Sequence, residues 1–96
     1  MWSHVKFTGD GIVHNVKTSY FKEVVEGQVE PKDLKVNNLY LVFWSPDPKE
    51  SPQKILAQGN EIMDMSSKTR LTKKGPLKGY YEAILLDLKQ SEGTLG

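Results

Sequence analysis

The chain contains no cysteine. That excludes disulfides, thiolate metal ligands and a thiol nucleophile, and it suits a reducing compartment. Long apolar runs are also missing. The longest, Leu39 to Trp44, has six residues, against the roughly 20 needed to cross a bilayer as a helix. The opening MWSHVKFTGDG lacks the basic-then-apolar layout of a secretory leader, so a soluble, intracellular protein is expected. Charge of one sign is lacking too. Thirteen basic residues face twelve acidic ones, for a net charge of +1. Wholesale electrostatic capture of nucleic acid is therefore disfavoured, although a local basic patch is not. Apolar residues make up only 38% of the 96. A chain of this length buries roughly two-thirds of its unfolded surface, enough for one core and little room for a deep second pocket. One domain over residues 1–90 is expected, with 91–96 as a flexible tail.

What is present points to short strands. HVKFTGDGIVHNV alternates apolar and polar residues on both sides of an Asp10-Gly11 turn, which predicts a hairpin over residues 3–17. Tyr20, Phe21, Val24 and Val25 followed by Gly27 predict a short helix or an irregular loop. LYLVFW predicts a strand with Leu39, Leu41 and Phe43 on the core face and Tyr40, Val42 and Trp44 on the other. PDPKESP is a loop, because prolines cannot donate to a ladder. Gln53 to Gln58 reads as another strand. YYEAILLDLKQ fits either a strand over residues 80–86 or, through Tyr81, Ile84, Leu85 and Leu88, a helix. A strand with a helical continuation is the expectation. Together these elements predict a mainly β protein, a small barrel of about five strands with a short helix.

VKFTGDGIVHNVKTS, LYLVFWSPD and YYEAILLDL resemble the opening hairpin, a following core strand and the aromatic-x-Ala-x-Ile-Leu strand of Tudor/SH3-like small β-barrels of chromatin and RNA-regulatory proteins. The resemblance spans roughly residues 3–88 and departs from the family between Trp44 and Tyr80, where a tight hairpin is usual. It implies a binding module without catalytic activity, in a nuclear or chromatin-linked setting. The implied ligand is a peptide, methylated or not.

The chemistry-bearing residues agree with a binder. No nucleophile and base, and no carboxylate pair, are legible. His4 and His14 lie on the two arms of one hairpin with Asp10 nearby, short of the three or four ligands a metal needs. No cofactor or metal is expected. Tyr40 and Trp44, with Tyr20 or Tyr81 as further walls, are the candidate peptide-binding residues, since aromatic faces attract alkylated ammonium groups. The competing reading makes them structural. Lys68, Arg70, Lys73, Lys74 and Lys78 fall in a window without acids from Met65 to Tyr81. They form a candidate nucleic-acid arm, or a solvated loop. A third possibility is a docking or oligomerisation domain in which the Leu39–Trp44 strand adds to a partner's sheet. Ser45-Pro46 and Ser51-Pro52 are phosphate-acceptor candidates beside Trp44, or simply part of a proline-stiffened loop.

Overall fold

The computed structural model describes residues 1–65 and 77–89. Strands β1 (Trp2–Phe7) and β2 (Val13–Lys17) form the hairpin expected from the alternating pattern. At its turn the Asp10 carboxylate accepts the Ile12 N–H at 3.0 Å and Gly11 takes φ +71°, a region that only glycine enters cheaply. The one-turn helix α1 (Lys22–Val25) follows. Asn37, at φ +72°, then turns the chain into β3 (Leu39–Trp44). After α2 (Pro52–Ala57) comes the long β4 (Gly79–Lys89). The four strands form one antiparallel sheet in the order β2-β1-β4-β3. The protein is thus mainly β. Beyond β3, Phe21 makes a single antiparallel bridge to Val42.

The expected strand at Gln53–Gln58 is instead helix α2. Pro52 occupies its first turn, where a missing N–H costs nothing and the fixed φ suits a helix. The Ser51 hydroxyl caps it by accepting the Lys54 N–H at 3.2 Å. The proline that forbids a strand here starts a helix.

The expected helical continuation of β4 is also absent, since the strand runs unbroken to Lys89. Its helix-like stripe has a physical source. Val5 pairs with Leu85 while the neighbouring His4 pairs with Asp87, so Leu86 is an extra, bulged residue. A bulge shifts the alternation by one. Leu85 and Leu88 therefore both pack on the main core at a spacing of three.

Phe43 is buried and Leu41 packs beside it as expected, but the main core lies on the other face of β3. Val42 enters the main core with Val5, Phe7, Phe21, Leu34, Met65, Tyr81, Ala83 and Leu85, and Tyr40 and Trp44 pack against it. Leu39, assigned to the core, is 56% exposed. Phe43 is buried on the outer face, in a smaller cluster with Ile55 of α2 and Tyr80. Period-2 alternation separates two faces but does not say which is inner. The cross-strand register decides that, setting Val42 against Tyr81 and Phe43 against Tyr80.

Candidate functional site

The four aromatic candidates do not converge. Tyr40, Trp44 and Tyr81 share the inner face. Tyr81 is only 2% exposed, and its hydroxyl donates to the Leu77 carbonyl. Trp44 meets the Tyr81 ring edge-on, and Tyr40 tilts against Phe21. The Tyr40 hydroxyl accepts the Lys35 N–H at 2.8 Å. Tyr20 lies on the outer face, edge-on to Phe43. Of the two alternative further walls beside Tyr40 and Trp44, Tyr81 is thus buried on their face and Tyr20 lies on the other side of the sheet.

Of the basic candidates, Lys68, Arg70, Lys73 and Lys74 lie outside the described residues. Lys78 is described, and its ammonium pairs with Glu50 at 2.6 Å. Glu50 in turn accepts the Ser45 hydroxyl at 2.8 Å. These bonds hold the Glu50 carboxyl below its ordinary value of 4.5, Lys78 first and Ser45 second. The two histidines are on opposite faces of their hairpin. His14 is registered with the inward Val5, and His4 with Asn15. Among the described residues no group of three or more His, Cys, Asp or Glu could hold a metal ion. No helix among them is long and apolar enough to cross a membrane. The outer edge of β3, considered for strand addition, carries the Phe21 bridge at Val42.

The structure instead brings forward a surface that sequence reading missed. On the outer face, beside α1, a cleft of about 250 Å³ is lined by Lys22, Val25, Glu26, Leu56, Glu61, Ile62 and Tyr80. A neighbouring recess of about 170 Å³ is lined by Glu23, Leu39, Tyr40, Leu41 and Glu82. Tyr80 and Glu82 are two residues apart on β4 and share its outer face, about 7 Å apart along the strand. Burial raises the Tyr80 hydroxyl above its ordinary value of 10.0, and the charges of Glu26 and then Glu23 raise it further. The signal in the sequence was faint: glutamates in KEVVEG and NEIM, distant in the chain, gathered by α1 and by the connection after α2.

No family model matches the chain, and neither the curated proteins nor the solved structures include a significant match.

Proposed function

We propose that the chain is a non-enzymatic binding module that takes an extended peptide along the outer face of β3 and β4, beside α1. The observation that carries this reading is the cleft over Tyr80, lined by Val25, Leu56 and Ile62 together with Lys22, Glu26 and Glu61. Its volume of about 250 Å³ falls below the ~300–1,000 Å³ typical of small-molecule sites. It suits a peptide side chain better than a metabolite. Leu56, one of its lining residues, is an exposed apolar group, as a docking surface requires.

The small-barrel resemblance is kept as part of the proposal. The chain leaves β2, turns at residues 18–20, and reaches the far edge of the sheet through the Phe21–Val42 bridge. That path supports a sheet curled toward closure. The nuclear, chromatin-linked setting follows from the resemblance alone.

The test is chemical-shift mapping of the whole chain against degenerate peptide pools. Shifts at Val25, Leu56, Ile62 and Tyr80 are expected. Perturbation confined to other surfaces, or none with any pool, would sink the proposal.

A further inference from the structure

We infer that the recess beside Tyr40 is a subsite for one basic side chain, an arginine or lysine of the bound peptide. This deepens the peptide-binding reading and rests on it.

Three observations converge on a cation. The Oε2 atom of Glu23, which lines the recess, is buried and has no hydrogen-bond partner. Withdrawing a carboxylate oxygen from water without a donor or counter-charge is costly. A guanidinium or ammonium in the recess would supply the counter-charge. The second observation is Glu82, a further lining carboxylate, which accepts the Thr8 hydroxyl at 2.9 Å through Oε1 and has no basic residue among the lining groups. Among the described ion pairs, Lys32–Glu30 and Lys78–Glu50, neither involves Glu23 or Glu82. The third is the apolar wall. Leu39 is more than half exposed and Leu41 half-buried, on the same face as Glu82. Long basic side chains need such a surface, because their aliphatic stems are buried while their heads stay polar.

The volume limits the occupant. About 170 Å³ admits one side chain, not a folded segment. The wall chemistry limits it further. Carboxylates reward N–H donors, and Arg presents a fork that matches them. Trimethylation of a lysine removes every donor and enlarges the head. This subsite therefore selects the unmethylated cation, unlike an aromatic cage. The spacing adds a sequence rule. An extended peptide places alternate side chains about 7 Å apart, the separation of Glu82 from Tyr80. A basic residue in the recess thus puts the side chain two positions away into the Tyr80 cleft.

The experiment uses the full ¹⁵N-labelled chain and octapeptide pools, degenerate except for a fixed central Arg, Lys, trimethyllysine, Leu or Glu. The Arg and Lys pools are expected to shift the amides of residues 39–41 and Glu82. They should bind about tenfold more tightly than the Leu and Glu pools, with the advantage shrinking as salt rises. Trimethyllysine should rank with Leu. Glu23→Gln, which keeps shape and removes charge, should lose the tenfold preference without lowering the melting temperature, and Glu82→Gln should reproduce the loss. The inference is overturned if Leu or Glu pools bind the groove as well as Arg pools, or if both variants keep the preference. In those outcomes the groove still binds peptides and the broader proposal stands. Silence of every pool would remove both.

Discussion

Trp44 and Tyr81 meet edge to face, ring centroids 6.1 Å apart and planes at 81°. Tyr81 lies in the main core and Trp44 packs against it from the end of β3. Such pairs contribute about 0.5–1.5 kcal/mol beyond the area they bury. Trp44→Ala is therefore expected to destabilise the protein by about 2–4 kcal/mol, below the full cost for a wholly buried ring because Trp44 keeps some exposure. Denaturant melts followed by circular dichroism measure it. A variant as stable as the parent would show Trp44 to be free for a surface role.

Much of the fold was legible where local chemistry and tertiary packing agree. The β1–β2 hairpin was readable because Asp10 and Gly11 fix the turn and the flanking residues alternate. Helix α1 was one of two readings of its segment, the other an irregular loop, and Gly27, which takes φ +74°, follows its end. Legibility failed where one residue pattern has two physical meanings. Proline at residue 52 excludes a strand and equally begins a helix, and the Ser51 cap was the unread signal. Leu85 and Leu88 three apart mark either a helix or a bulged strand. The site was less legible than the fold. Glu23, Glu61 and Glu82 sit in separate segments, and only β4 and α1 bring their neighbourhoods together. The aromatic residues drew the eye because they are chemically loud, yet in this chain they mostly fill the core.

Gly79, the buried first residue of β4, has no room for a side chain. A Cβ there would lie 2.6 Å from Met65 Cγ and 2.7 Å from the Met63 carbonyl oxygen. Met63 and Met65 also pair with Tyr80 through its N–H and carbonyl, at 2.9 and 2.7 Å. The flexible Met65 side chain can move aside, but the Met63 backbone can do so only by breaking that pairing. Gly79→Ala should cost about 1–3 kcal/mol and raise hydrogen exchange at the Met65 and Tyr80 amides. Normal protection at both would refute the steric argument.

The Glu50–Lys78 pair ties the loop after β3 to the start of β4. Because the Glu50 carboxyl is lowered in the fold, its contribution is present above its ordinary value of 4.5. It is lost as pH falls through the folded value. Melting temperatures of the wild type and Glu50→Gln should differ at neutral pH and converge in acid. The gap should also narrow with added salt, since the pair is near the surface. A gap that persists at low pH would assign the effect to packing instead.

Tyr80 offers a reporter inside the proposed site. Burial acts first and Glu26 and Glu23 next, all favouring the neutral phenol. A raised folded-state value means that the linked stability is full below about pH 10 and is lost as pH climbs through the folded value. In an ultraviolet titration compared with Tyr80→Phe, the Tyr80 phenolate should appear above the ordinary value of 10.0. Glu26→Gln should bring it only part of the way back, because burial is the larger cause. A cation in the neighbouring recess opposes the same carboxylate field. Saturating the Arg-centred pool should therefore lower the Tyr80 titration, whereas the Glu-centred pool should not. An unmoved Tyr80 under saturating Arg peptide would place the bound cation away from Glu23, whatever the affinity.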